Sequence, residues 1–232
     1  MKDIYNIVQD EIFTLLDKSV KITSVSNIST VFTVELCHNK WVRVGQDLTD
    51  TDDKLWRITS IDIDGIITCN KPTGATDLVK HQTLTIKQPI FIFGTQINAN
   101  NTYLKLNKDS RLKLPLVWLV ASINEEEFGV RSSIERKSSI KVLFLDDNNP
   151  KQYLTNDYRL NVVSPMIGLK DEFIRVVQDN NLFETLDNWN VKTFDRLGQE
   201  SDNGFINNII DENLSGVELT ITLPIRKTNC KC

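Results

Sequence analysis

The run Leu114-Pro115-Leu116-Val117-Trp118-Leu119-Val120 is apolar without interruption, and it constrains the fold more than any other segment. A strand that meets solvent on one face alternates apolar and polar residues, whereas a strand covered on both faces has no polar side to show. The chain must therefore place this strand inside a sheet. Three further strands are predicted beside it. Ile90 to Phe93 is closed by Gly94-Thr95, Ser139 to Leu145 stops at the turn cluster Asp146-Asp147-Asn148-Asn149-Pro150, and Val217 to Leu223 is ended by Pro224.

Helical periodicity appears twice. Between Asp3 and Lys18, Ile4, Val8, Ile12, Leu15 and Leu16 form one apolar stripe. A second helix is predicted to start with Ser164 as N-cap and Pro165 in the first turn, and Met166, Leu169, Phe173, Val176 and Val177 continue its buried face.

From about Val20 to Ile86 the period shortens to two. Val31 to Leu36, Trp56 to Thr59 and Ile66 to Thr68 are strand-like runs, and Asp64-Gly65 suits a tight hairpin because glycine accepts positive φ. The expected class is α+β: a helix-covered mixed β-sheet sandwich, from residues 1–20 and 89–226, with a small all-β barrel or sandwich inserted at 21–88. Residues 227–232 are read as a flexible tail. The polar stretch Asn188 to Asn208, anchored by Val191-Lys192-Thr193-Phe194 and Phe205, is read as a strand or loop that orders against a neighbour.

Composition narrows the function classes. At 232 residues, with 40% hydrophobic and 25% charged residues, the chain has enough apolar side chains to build a core. Its net charge of −4 gives no general pull toward phosphate backbones or anionic membrane. No apolar run approaches the ~20 residues of a membrane-spanning helix, and Asp3, Asp10, Glu11 and Asp17 do not suit a signal peptide, so a cytosolic origin is expected. Cys37 and Cys69 are read as small buried hydrophobes, and Cys230 and Cys232 as thiols on the tail, with no second pair spaced to complete a metal site.

Catalytic patterns are sparse. His38 and His81 lie among polar turn residues and read as surface histidines; no G-x-S-x-G and no clustered glycines are present. The acidic run Asp47, Asp50, Asp52 and Asp53 lacks the glycine and closing carboxylate of a calcium loop and reads as a hairpin tip. Glu125-Glu126-Glu127 reads as a charged loop. Neither an enzyme nor a cofactor is expected. Arg131, Arg136, Lys137 and Lys141 form a basic patch, read either as a solvated strand edge or as a loop reaching a channel or a neighbouring subunit. Trp41 and Trp56 either fill the core of the β insert or form an exposed aromatic platform for a ligand such as carbohydrate.

Leu112 to Val120, then Ile140 to Leu145, then Asn156-Asp157-Tyr158-Arg159-Leu160 and Val163-Ser164-Pro165-Met166 resemble neck proteins of tailed bacteriophages. The set is similar to tail-completion or tail-terminator proteins of phages of Bacteroidetes hosts, including the crAss-like group. Phe91 to Thr95 with Leu104 resembles the segment before that strand. The resemblance covers Asp3 to Val20 and Pro89 to Pro224, about two-thirds of the chain; the β insert is a departure from it. It implies a virion subunit assembled in the host cytoplasm, forming a six- or twelve-fold ring around the DNA channel. Such a ring would join portal or adaptor proteins to tail proteins, close to packaged DNA and with no membrane partner.

Overall fold

The computed structural model describes residues 3–38, 40–106, 113–128, 135–147, 158–186, 188–200, 206–208 and 213–226. Helix α1 (Ile4–Glu11) is capped by the Asp3 side chain, which accepts from Asn6 N at 2.8 Å. A single 3₁₀ turn, Phe13–Leu15, follows. The helix is shorter than predicted, and this break turns Leu15 out to 54% exposure while Ile7 and Phe13 join Ile4, Val8, Ile12 and Leu16 in the core.

Six antiparallel strands then close into a barrel. They are β1 (Ser19–Ile28), β2 (Val31–Leu36), β3 (Asp47–Thr49), β4 (Leu55–Ile61), β5 (Ile67–Asn70) and β6 (Thr83–Ile86). Their spatial order is β1-β2-β5-β4-β3-β6, with β6 returning to β1. In β2, Phe32, Val34 and Leu36 point inward and the residues between them outward, the alternation that a one-sided wall requires. The hairpin joining β4 to β5 turns at Asp62–Gly65, with Gly65 at φ 79° and Asp62 N donating to Ile66 O at 3.0 Å.

The second sheet contains β7 (Ile90–Gly94), β8 (Leu116–Val120), β9 (Asn124–Phe128), β10 (Glu135–Asp147), β11 (Trp189–Phe194) and β14 (Leu214–Ile225). Its order is β11-β14-β10-β8-β7, with β9 pairing the first half of β10. A short hairpin, β12 (Gly198–Glu200) with β13 (Ile206–Asn208), stands apart. Helix α2 (Gln96–Lys105), capped by the Thr95 hydroxyl, crosses from β7 to the parallel strand β8.

Helix α3 (Ser164–Asp179) is preceded by a π-type turn over Arg159–Val163. Ser164 is therefore not its N-cap: it is already helical, at φ −62° and ψ −47°, and its N–H donates to Arg159 O. The wider turn carries the helix upstream of Pro165, whose missing N–H the sequence had suggested as the start.

The expected helix-covered α+β sandwich is overturned. The chain is mostly β, 43% strand against 24% helix, with a closed barrel, a second sheet and three α-helices among the described residues. Polar residues extend strands well past their apolar runs: β10 begins at Glu135, β14 includes Pro224, and β9 is largely glutamate. Pro224 lies beyond the end of β11, which stops pairing at Ile221; on that side only a single bridge, Phe183 to Ile225, flanks it, and Pro224 serves there as acceptor, taking a hydrogen bond from Glu184 N at 2.9 Å.

One continuous apolar core joins the barrel interior, α1, α3 and one face of the sheet through Val117, Leu119, Val142, Phe144 and Leu219. The opposite face carries a smaller cluster in which Ala99 and Tyr103 of α2 meet Leu116, Trp118, Leu143 and Leu145. Strand β8 is buried on both sides, as its sequence requires. Arg131, Phe205, the turn residues Asn148 to Pro150 and the tail from 227 onward lie outside the described residues.

Candidate assembly interface

The second sheet ends in two edges, β11 and β7, and no described strand pairs with the outer side of either. Trp189 and Val191 stand opposite Ile221 and Leu219, so they continue the core face of the sheet out to the border. There they are 39% and 40% exposed. At the other border Phe91 and Phe93 stand beside Val117 and Leu119, again on the core face. Tyr5 of α1 packs on both rings, at centroid distances of 6.0 and 4.9 Å, and Phe93 is still 38% exposed.

Sheet borders in soluble proteins usually carry lysines, prolines or bulges that discourage further pairing. Here β7 reads Ile-Phe-Ile-Phe-Gly, and β11 has Lys192 as its one charge. Both borders present backbone donors and acceptors beside apolar side chains, which is the chemistry of strand addition.

The basic residues picked out from sequence behave differently. Arg136, Lys137 and Lys141 stand on β10 itself, not on a loop entering it. Arg136 is buried and ion-paired with Glu125; Lys137 is opposite Glu126 in the ladder; Lys141 meets Glu218 at 3.0 Å. Acids on the flanking strands thus pair with the described cations of the patch, which belong to a strand and not to a loop. Glu125-Glu126-Glu127, expected as a loop, forms β9. The run of acids followed by Arg136-Lys137 was a charge-complementary hairpin visible in the sequence.

Trp41 and Trp56 are both fully buried, so the aromatic platform is not formed. Trp41 donates from Nε1 to Lys87 O at 3.1 Å, and Trp56 donates to Asp50 Oδ2 at 2.8 Å while meeting Phe32 edge-on at 5.1 Å. A large aromatic with a satisfied N–H fills a small barrel well. Asp50 also accepts from Asp52 N and Lys54 N, both at 2.9 Å. Burial opposes its ionisation, but these three donors outweigh burial and hold its carboxyl below the usual range. The acidic run is thus a hairpin whose Asp50 is pinned inward. Cys69 is buried as expected, and burial pushes its thiol up to about 11; Cys37 is exposed, contrary to expectation. Among the described residues, no three His, Cys, Asp or Glu side chains are grouped to hold a metal ion.

Polar contacts join the barrel to α3 and to the sheet. Lys40 donates to Asp17 Oδ2, Asp17 O and Ser19 O at 2.7–2.8 Å, and Glu172 of α3 accepts from Asp17 N at 2.8 Å. Burial alone would raise Asp17, but the bonds from Lys40 and Ser19 bring it down to about 2. A groove of about 850 Å³, lined by Lys21, Cys37, His38, Asp171 and Arg175 among others, follows this seam.

The second contact pairs Arg43 of the barrel with Asp146 at the end of β10, at 3.2 Å. Arg43 also donates to Leu114 O at 3.3 Å. Arg43 Nε, Gln46 Nε2 and Asp146 Oδ2 are buried without a hydrogen-bond partner among the described residues. Burial is the main cause that pushes the Asp146 carboxyl up to about 6, against the pull of Arg43 and of Asp147 N.

A pH dependence follows from this. Because the folded protein holds that proton more tightly than the unfolded chain, Asp146 contributes stability that is complete below about pH 4 and lost as pH rises through about 6. The contribution is about 3 kcal/mol. Asp17, Asp50 and Glu172 act oppositely, losing stability as pH falls below the ordinary carboxylate range. Urea unfolding of the parent and of Asp146→Asn at pH 4.5 and 7 checks the sign. The parent should lose more stability between the two pH values than the variant; equal losses would contradict the assignment.

Comparison with protein-family models, curated proteins and solved structures finds no match to the chain.

Proposed function

We propose that this chain is a structural ring subunit in the head-to-tail neck or tail of a tailed bacteriophage, joining portal-side and tail-side components around the DNA channel. Its role in this reading is architectural and not catalytic, and its place is the virion. The observation that carries the reading is the pair of borders at opposite ends of one sheet on whose outer sides no described strand pairs, with exposed Trp189 and Val191 at β11 and Phe93 at β7. Two unlike edges on one molecule favour head-to-tail contacts, which close into rings when the rotation between copies divides a full turn.

The resemblance of Leu112 to Val120 and of Val163-Ser164-Pro165-Met166 to phage neck proteins supports the same reading. So does the loss of the exposed tryptophan platform on which a carbohydrate-binding role would have depended.

Negative-stain images of the concentrated, purified chain test the proposal. Closed annuli of uniform diameter are expected. A field of single molecules, unchanged when portal and tail proteins of the same phage are added, would refute it.

A further inference from the structure

The order and direction of the strands in the second sheet restrict how two copies can join. Strands β7, β8 and β14 run one way, while β10 and β11 run the other. In a ring whose wall is one continuous sheet, every copy keeps the same strand direction along the ring axis. Strand β11 of one copy then meets β7 of the next running oppositely, and the pairing is antiparallel, the slightly stronger kind.

Side-chain faces restrict it further. A continuous sheet keeps its core face on one side, so Trp189 and Val191 must share a face with Phe91 and Phe93 of the neighbouring copy. We propose that the second copy docks on β11 through β7, in the antiparallel register that places Val191 opposite Phe91 and Trp189 opposite Phe93. This inference rests on the ring-subunit reading and names its contact.

Three features favour this register. It sets the exposed indole of Trp189 against Phe93 and the Tyr5 ring that already packs on it, an aromatic group that directly opposed cross-strand positions bring together. It puts Lys192 opposite Ile90 and Asn190 opposite Ile92, so no like charges meet. It sets Thr193 opposite Pro89, where the absent N–H ends the ladder one residue before the end of β11. The occupant is a second copy because each border lacks what the other supplies: β11 offers a large aromatic at the rim, and β7 a half-covered aromatic pair.

The test places a photo-crosslinking residue at the rim. Full-length chain carrying Trp189→p-benzoylphenylalanine is concentrated, irradiated and digested, and the inter-copy attachment sites are mapped by mass spectrometry. The reciprocal variant Phe93→p-benzoylphenylalanine guards against a local effect of either substitution. Attachment of position 189 to residues 91–94 or Tyr5 of another copy, with position 93 attaching to β11, is expected. Attachment of position 189 to β11 of another copy would show two-fold pairing of like edges, and would overturn this contact while leaving self-assembly intact. Assembled material that crosslinks elsewhere or not at all would do the same. A sample that sediments as single chains and gives no inter-copy product would overturn both the contact and the ring-subunit reading.

Discussion

Replacing Gly168 by alanine is expected to cost about 3 kcal/mol or more of stability and to lower the melting temperature by roughly 10 °C. Gly168 lies on α3 where the helix crosses the barrel segment at Lys40, and a Cβ built there would sit 2.0 Å from Lys40 O and 2.7 Å from its carbonyl carbon. Both obstacles are backbone. The Lys40 side chain is anchored through Nζ by three hydrogen bonds to Asp17 and Ser19, and Glu172, one turn along α3, holds Asp17 N. Neither wall can give without opening the seam between barrel and sheet. Thermal unfolding of Gly168→Ala beside Gly74→Ala checks this, because Gly74 has positive φ but nothing within 4 Å of its Cβ position. The Gly74 variant should lose about 1 kcal/mol from backbone strain alone. Equal losses at the two positions would mean that the seam is loose.

Truncating Trp56 to alanine is expected to be more damaging, at about 4 kcal/mol. It empties the centre of the barrel, removes the edge-on contact with Phe32, and takes from Asp50 the indole N–H that helps keep its carboxylate charged inside the hairpin. Trp56→Phe should fall between parent and Trp56→Ala, since it restores most of the volume and none of the hydrogen bond. Chemical unfolding midpoints of the three proteins separate the two contributions. A Trp56→Ala protein within about 1 kcal/mol of the parent would contradict the placement of this side chain in the core.

Much of the barrel was legible because its chemistry is local. Val31 to Leu36 alternates strictly, and Asp64-Gly65 announces a turn that glycine alone enters without strain. The double burial of Leu116 to Leu119 was equally plain, since a strand without a polar side has no solvent face.

What escaped the sequence reading depends on partners outside the segment itself. Strand β9 is mostly glutamate and becomes a strand through Arg136 and its neighbours across the ladder. Helix α2, Gln96-Ile97-Asn98-Ala99-Asn100, has poor propensity and is held by its Thr95 cap and by Ala99 and Tyr103 against the sheet. Arg43 and Asp146 are about a hundred residues apart, and neither neighbourhood hints at the other. The candidate interface was half legible: Val191 to Phe194 was read as part of a strand or loop ordering against a neighbour, and it is a strand, ordered against β14 of the same chain. Its border position follows from the order of β11 and β14, which the sequence does not display.

The described part of the basic patch stands on the interior strand β10 and takes part in the sheet's own ion pairs. With Lys141 bonded to Glu218 and Arg136 to Glu125, part of its charge is spent within the sheet.

Sedimentation velocity of the native chain beside a Trp189→Lys/Val191→Lys variant tests the assembly claim most directly. Both side chains are surface-exposed, and lysine at a sheet border is a common guard against pairing, so the variant should keep the parent's melting temperature. The native chain is expected to sediment as one closed oligomer and the variant as single chains at the same concentration. A native chain that sediments as a monomer at the highest attainable concentration, or a folded variant that assembles as fully as the parent, would contradict the claim that these sheet edges build a ring.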